Sequence, residues 1–245
     1  GIFPFSTRPD PMAIDTIGPY AVQPIRDFLS GFTPVQKSVV DADCATLTYD
    51  ILNWSFAPAQ PPPCPNSVYG SVSIGCGQGG AYRIRQQTHI GGEPTIFEAD
   101  VICNSDDTLK SWTLCTYRAD AEGEPIPISE LRESWENNKG HIQSRDGAYK
   151  YRATRPVFSH WTLPHILLCG RHALPMAFDL IQDLSLLRPN HRLVADGSVE
   201  LSIGSYTTCV QSGEGILPVH YLLDEDRRPQ LITFGLIAWA LTDIS

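Results

Sequence analysis

A glycine-rich motif is the first stretch of this sequence that could support chemistry. Gly75, Gly77 and Gly80 in the segment GCGQGG match the G-x-G-x-x-G spacing of dinucleotide-binding loops, and Asp100 follows 20 positions after the last glycine. In such loops a helix opens at the last glycine, and its N-terminal amides hold a pyrophosphate. On this interpretation the chain would be a nucleotide-dependent enzyme.

The residues after the motif favour a strand instead of that helix. From residue 81 to 90 the side chains alternate with period two, with Arg83 and Arg85 on one face. Wound as a helix, the same segment would have no apolar stripe. A Gly-Gly pair then separates it from a second alternating run, which is typical of a tight hairpin. We therefore predict that residues 67–103 form antiparallel strands and that the glycines lie in a loop or bulge.

Histidines and cysteines are the next residues that could carry out catalysis. His160, His165, His172 and His191 lie in one region, but the first spacings are five and seven, whereas helical metal-binding pairs are normally spaced i, i+4. The seven cysteines include no C-x-x-C pair, so neither a zinc ribbon nor a thioredoxin-type pair is indicated. We predict no catalytic residue, no metal site and no cofactor.

The individual cysteines are expected to have structural roles. Cys103, Cys115 and Cys209 lie on strand-like runs, where a cysteine normally behaves as a small buried hydrophobe. Cys64 and Cys76 flank one strand and are the first pair to test for a disulfide.

Four arginines could bind an anion if their strand faces met. They are Arg83 and Arg85 on one predicted strand, and Arg152 and Arg155 near another. Such faces could hold an anionic head group by charge-assisted hydrogen bonds. The alternative is a solvated outer face of a half-exposed sheet.

The bulk composition restricts the class of protein and of partner. The net charge of −9 makes nucleic acid an unsuitable partner, and no apolar run approaches the ~18–20 residues that a membrane-spanning helix needs. The 19 glycines and 20 prolines are typical of a turn-rich β protein. The chain starts with Gly and not Met, so we expect a removed leader and an exported protein of the periplasm, cell envelope or exterior.

Alternating runs divided by turn signals at intervals of ~8–12 residues predict a mainly β fold. Predicted strands span 46–54, 81–90, 97–103, 109–119, 125–131, 141–144, 148–157, 178–187, 192–203, 206–211, 216–224 and 231–242. Turns are predicted at 188–190 and 196–197, among others. Two short helices are expected, at 22–32 and from an N-cap at Ser159 to about Arg171. We predict one domain over 1–245, with an N-terminal arm and short helix at 1–45 and a Pro-rich loop at 55–66.

The last third of the chain carries a further pattern: a strand that ends in Tyr221-Leu-Leu-Asp224, a turn, a basic residue at Arg228 and an apolar strand back. Together with AFDLIQDLSLLRP from residue 177 and QSGEG from 211, this stretch of roughly 175–242 resembles the lipoprotein-localisation-factor-like group, including uncharacterised envelope members. The turn DEDRRP departs from the usual glycine-containing version. The resemblance implies a half-barrel whose concave side, plugged by a helix, can accept an acyl chain.

The sequence thus predicts a large curved antiparallel sheet, a half-barrel or incomplete barrel, with one or two short helices. The predicted function is non-enzymatic binding of a lipophilic or amphipathic small molecule in the cell envelope, with Arg83, Arg85, Trp161 and His165 as candidate ligand-binding residues. Two alternatives stay open. One is a structural or protein-interaction module, and the other is a hydrolase or redox enzyme that uses the His160–His172 region with a free cysteine.

Overall fold

Fifteen strands form one sheet in the computed structural model, which describes residues 22, 25–39, 41–53, 67–90, 93–120, 122–145, 147–182, 186–234 and 237–245. The strands are β1 (Thr46–Asn53), β2 (Val68–Cys76), β3 (Ala81–Ile90), β4 (Glu93–Cys103), β5 (Leu109–Ala119), β6 (Pro125–Glu136), β7 (Lys139–Ser144), β8 (Gly147–Arg152), β9 (Val157–Ser159), β10 (Met176–Gln182), β11 (Leu186–Leu201), β12 (Gly204–Ser212), β13 (Val219–Leu223), β14 (Pro229–Phe234) and β15 (Ile237–Ile244). The helices are α1 (Arg26–Leu29) and α2 (Leu163–Cys169), and 3-10 turns span Ala42–Cys44 and Gln78–Gly80.

The sheet is an unclosed, barrel-like meander, as predicted. Its order is β8-β7-β6-β5-β4-β3-β2-β1-β15-β14-β13-β12-β11-β10-β9, so β1 pairs with β15 and joins the two halves of the chain. Every described pair is antiparallel except β9 with β10. We call the end where β10, β12 and β14 finish the upper end, and the opposite end the lower end. The Pro-rich loop 55–66 and residues 1–21 lie outside the described residues.

The strand predicted after the glycine motif is confirmed, which removes the nucleotide-binding interpretation. β3 covers residues 81–90 and pairs with β4 down to Ile90 opposite Glu93, the register of a two-residue hairpin. Tyr82 and Ile84 are buried, whereas Arg83 and Arg85 are exposed. We call the buried side of the sheet its inner face.

Helix α2 lies in the space that the inner face encloses. Its residues from Leu163 to Leu168 are all buried, as expected of a helix surrounded on every side. It belongs to one continuous apolar cluster with inner-face side chains from β1 to β7 and from β9 to β15. The helix is about 10 Å long, so it plugs only part of the interior.

Charged groups hold the lower end of α2. The Arg171 guanidinium donates to both carboxylate oxygens of Asp107, at 2.6 and 3.3 Å. Arg227 Nε donates to the Leu167 carbonyl at 3.0 Å, one of the carbonyls that the end of a helix leaves without an intrahelical donor. Gly170, with φ of 64°, ends the helix in the left-handed conformation.

Helix α1 covers part of the outer face. Its buried Leu29, with Ile25 and Val22, packs on a second apolar cluster that includes Leu222, Leu231 and Ala240. The helix ends at Leu29, before the predicted end at residue 32, and it covers central strands of the sheet.

Two turns predicted after residue 187 are wrong, because both sites lie inside β11. Residues 188–190 form an irregularity in the pairing of β11 with β10, where Asn190 has φ of 58°. The Asp179 carboxylate accepts a hydrogen bond from Asn190 N at 3.1 Å and supports this backbone conformation. Residues 196–197 form a second irregularity, in the pairing with β12.

Two predicted strands are each divided in the structure. The run 231–242 contains β14 and β15, which pair with Phe234 opposite Ile237. Residues 229–233 of β14 and 238–241 of β15 are buried on both faces, so the two sequences read as one apolar run without alternation. In the predicted run 148–157, β8 stops at Arg152. Residues 157–159 form a separate strand, β9, on the opposite edge of the sheet.

The helix predicted from Ser159 begins later. Ser159 is the last residue of β9, and its Oγ accepts a hydrogen bond from Trp161 N at 3.2 Å instead of capping the helix. α2 begins at Leu163, where Pro164 fits the first turn because its missing N–H would have no intrahelical partner.

The cysteine predictions are confirmed in part. Cys103 and Cys209 are buried, whereas Cys115 is exposed because it lies on the outer face of β5. Cys76 is a free thiol, and Cys64 lies outside the described residues. No helix in the described part of the chain is long and apolar enough to cross a membrane.

Gly80 of the motif is required by backbone geometry. Its φ is 75°, and a Cβ there would lie 2.7 Å from the carbonyl oxygen of Cys103. Gly79 also has a positive φ, 69°, but a Cβ there would meet nothing within 4 Å. Comparing the two positions therefore separates the free-energy cost of a positive φ from that of the steric clash with Cys103.

We predict that Gly80→Ala destabilises the protein more than Gly79→Ala does. A left-handed alanine costs about 1–2 kcal/mol at either position, and the clash with Cys103 adds roughly 1–3 kcal/mol at Gly80 only. Urea unfolding of both variants measures the difference. Equal midpoints would show that the close approach to Cys103 is not a constraint.

Candidate ligand-binding site

A cavity of about 430 Å³ lies at the upper end of the sheet, beside α2. Its volume is within the ~300–1,000 Å³ that small-molecule pockets occupy. Its walls are mainly apolar inner-face side chains, among them Leu180, Ile232, Phe234 and Trp239, and Pro164 of α2 closes one side. Alternation along β10, β13, β14 and β15 directs these side chains inwards, because successive residues of a strand face opposite sides.

One chain of buried polar groups reaches the cavity. Tyr221 Oη donates to Gln211 Oε1 at 3.0 Å, and Gln211 Nε2 lies 3.2 Å from His191 Nδ1. His191 Nε2 lies 3.2 Å from the Glu214 carbonyl oxygen, which can only accept. His191 therefore carries its proton on Nε2, and its Nδ1 accepts from Gln211.

This polar chain is neutral and fully oriented. Burial lowers the pKa of His191, which favours the uncharged imidazole. Tyr221 and Gln211 both line the cavity. The Tyr221 oxygen, whose proton is used by Gln211, can accept a hydrogen bond from a bound molecule. The second N–H of Gln211 can donate one.

Trp161 lies behind the cavity wall. It is buried, and its ring stacks on that of Trp239 with centroids 5.5 Å apart and an interplanar angle of 28°. Phe97 contacts it at a centroid distance of 5.2 Å. Trp161 therefore supports the position of Trp239, the residue of the pair that lines the cavity.

His165 lies away from the cavity, on the side of α2 that faces the start of β1. Its Nε2 is 2.8 Å from the Ala45 carbonyl oxygen, and its ring meets Tyr82 edge-on at 5.3 Å. Burial lowers the pKa of His165 to about 4, so the ring is neutral at physiological pH. Its contacts attach α2 to the sheet.

Arg83 and Arg85 lie on the outer face and pair with acidic residues of β4. Arg85 Nε is 3.2 Å from a Glu98 carboxylate oxygen, and Arg83 Nε is 3.9 Å from one of Asp100. The acidic residue that completed the apparent nucleotide motif is thus a cross-strand partner of Arg83. Arg152 is on β8, five strands away in the sheet, so the two arginine faces do not meet.

The His160–His172 region does not contain an activated nucleophile. The Cys169 thiol donates to an Asp43 carboxylate oxygen at 3.4 Å, and burial raises its pKa to about 12, so it stays protonated. His172 Nε2 lies 2.7 Å from Asp107, which also binds Arg171. No group of three or more metal-ligating side chains occurs in the part of the chain that the structure describes.

Comparisons with known proteins address the fold and leave the cavity unassigned. No family model and no curated protein sequence matches the chain. A crystal structure of a β-barrel-like protein of the domain of unknown function DUF1849 from Brucella abortus aligns with a TM-score of 0.52 and 9% identity, over 84% of this chain and 98% of that one. The likeness shows the fold alone.

A second crystal structure, of a DUF1089 family protein from Pseudomonas aeruginosa, aligns with a TM-score of 0.40 and 13% identity, over 72% of this chain and 94% of that one. The first of the two likenesses supports a curved, barrel-like sheet. The comparisons show no resemblance to lipoprotein-localisation factors.

Gln211 and Tyr221 line the cavity, but neither was among the ligand-binding residues predicted from the sequence. Gln211 lies two residues from Cys209, so both are on the inner face of β12. A polar side chain on the inner face of an otherwise apolar strand indicates a binding site. The sequence pattern does not show which face of β12 is the inner one, so Gln211 could not be identified from it.

Glu133 is a buried carboxyl on the inner face, away from the cavity. It lies opposite Trp112 on β5 and Ile142 on β7, is only 3% exposed, and accepts a hydrogen bond from Trp135 Nε1. Burial raises its pKa to about 8. The folded protein therefore binds this proton more tightly than the unfolded chain does.

We predict that Glu133 makes stability fall as pH rises. Its contribution is complete below pH ~4.5, the pKa of an unperturbed glutamate, and is lost progressively as pH rises through about 8. At 1.36 kcal/mol per pH unit the loss is at most about 5 kcal/mol. Glu133→Gln should remove this slope and stabilise the protein at pH 8.5.

Chemical denaturation of both proteins between pH 5 and 9 measures the effect. Glu136→Gln, an exposed position on the same strand, is the matched control and should leave the wild-type slope unchanged. An unchanged slope in Glu133→Gln would contradict the raised pKa.

Proposed function

We propose that this protein binds a small lipophilic or amphipathic molecule in the upper cavity and does not convert it chemically. The observation that carries the proposal is the preformed cavity of about 430 Å³ with apolar walls and a single oriented polar chain. Burying an apolar ligand surface there would contribute roughly 25 cal/mol per Å². The polar chain would orient the ligand, as the few polar groups of a mainly apolar pocket normally do.

The arrangement of the polar groups supports binding over catalysis. In the Tyr221–Gln211–His191 chain, glutamine separates the tyrosine from the imidazole, and an amide is a poor proton relay. The His191 proton is directed at a backbone carbonyl and not at the cavity. Export to the cell envelope, predicted from the sequence, remains part of the proposal, and fractionation of the native source would test it.

The proposal predicts saturable binding of 11-bromoundecanol, a neutral amphiphile whose bromine quenches nearby tryptophan. Trp239 lines the cavity and should be quenched, so Trp239→Phe should lose most of the signal. Val219→Phe narrows the cavity and should weaken binding about tenfold, or about 1.4 kcal/mol. Fluorescence titration measures both.

Val210→Phe is the matched control, because Val210 lies on the neighbouring strand between inward-facing Cys209 and Gln211 and so faces outwards. It should bind the probe like the wild type. Absence of saturable quenching in the wild type would refute the proposal. Recovery of a stable protein partner with no extractable small molecule would instead favour the interaction-module alternative.

A further inference from the structure

Arg188 lies on the inner face of the sheet, at the mouth of the cavity. It is the cross-strand partner of Leu180, which lines the cavity, and directly opposed residues project from the same face of a sheet. Its Nε donates to Gln182 Oε1 at 3.1 Å, and Gln182 also lines the cavity.

The guanidinium is held against the cavity mouth by a glycine. Gly215 lines the cavity, and a Cβ at that position would lie 2.4 Å from Arg188 Nη1 and 2.9 Å from Cζ. The planar group therefore packs directly on the Gly215 backbone. Gln182 on one side and Gly215 on the other place the positive charge between two cavity-lining residues.

The charged groups around Arg188 allow its guanidinium to bind an anion from outside the protein. No described residue lining the cavity is an acid, a lysine or an arginine. The carboxylate of Asp179 accepts from backbone N–H groups of residues 154, 155 and 190, and that of Glu214 accepts from Asn190 Nδ2 at 2.6 Å. Within the described chain, Arg188 donates a hydrogen bond only through Nε, so Nη1 and Nη2 remain for an acceptor.

We infer that the ligand is an amphipathic carboxylate, with its head group on Arg188 at the mouth and its chain along the apolar wall. This inference rests on the proposed function and specifies its ligand class. The guanidinium can form charge-assisted hydrogen bonds with a carboxylate, which are about twice as strong as those between neutral groups. Arg188 is then the residue that determines specificity for an anion over a neutral amphiphile.

The test compares 11-bromoundecanoate with 11-bromoundecanol at pH 7.5 and low salt, by quenching of tryptophan fluorescence. Arg188→Gln should weaken binding of the carboxylate by about tenfold or more and that of the alcohol by less than about twofold. Arg188→Lys should retain part of the preference for the carboxylate. Circular dichroism and thermal melting confirm that each variant is folded.

Arg192→Gln is the control for loss of positive charge. Arg192 is exposed on the same strand, opposite exposed Ala177 and Ser212, and so lies on the outer face. It should leave both affinities unchanged. If Arg188→Gln weakens both probes equally, or neither, the anion preference is wrong and the proposed function stands. If the wild type binds neither probe, the proposed function itself fails.

Discussion

The burial of α2 against the inner face of the sheet is the interaction on which the rest of the structure depends. An unclosed sheet of fifteen strands has a concave apolar surface too wide for its own side chains to fill. A helix that is apolar on every side supplies the missing contacts, and its residues join both halves of the sheet into one cluster. Without it, the inner face would be exposed to water along its length.

The two ends of α2 make different contacts with the sheet, and the cavity lies at the end where the packing is incomplete. At the lower end, Arg171 ties the end of the helix to Asp107, and Arg227, between β13 and β14, donates to the last turn of the helix. At the upper end the chain enters through Trp161 and Pro164, which pack on the sheet without filling the space beneath β10 to β15. The upper end of the core therefore retains the cavity of about 430 Å³.

Few polar side chains lie on the inner face of this half-barrel, and they differ in their effects on ligand binding and stability. The Tyr221–Gln211–His191 chain is satisfied and neutral, so it orients without adding a buried charge. Glu133 is buried with a raised pKa and makes stability depend on pH. Arg188 is half-buried at the mouth, where water lowers the cost of desolvating its guanidinium.

Local sequence patterns were enough to locate most strands of the chain. Alternation located β3 at 81–90 and β5 at 109–119, and it placed Arg83 and Tyr82 on opposite faces, because the period of a strand is local and depends only on neighbouring residues. The same argument dismissed the glycine motif as a nucleotide site. Three features became visible in the folded protein alone: which face is inner, that the run 231–242 is two strands, and that β11 continues through residues 188–190. These features depend on pairing between distant segments and on burial of both faces, which removes the alternation. The cavity and its lining residues Gln211 and Tyr221 follow from where α2 ends inside the sheet, a position that no local pattern encodes.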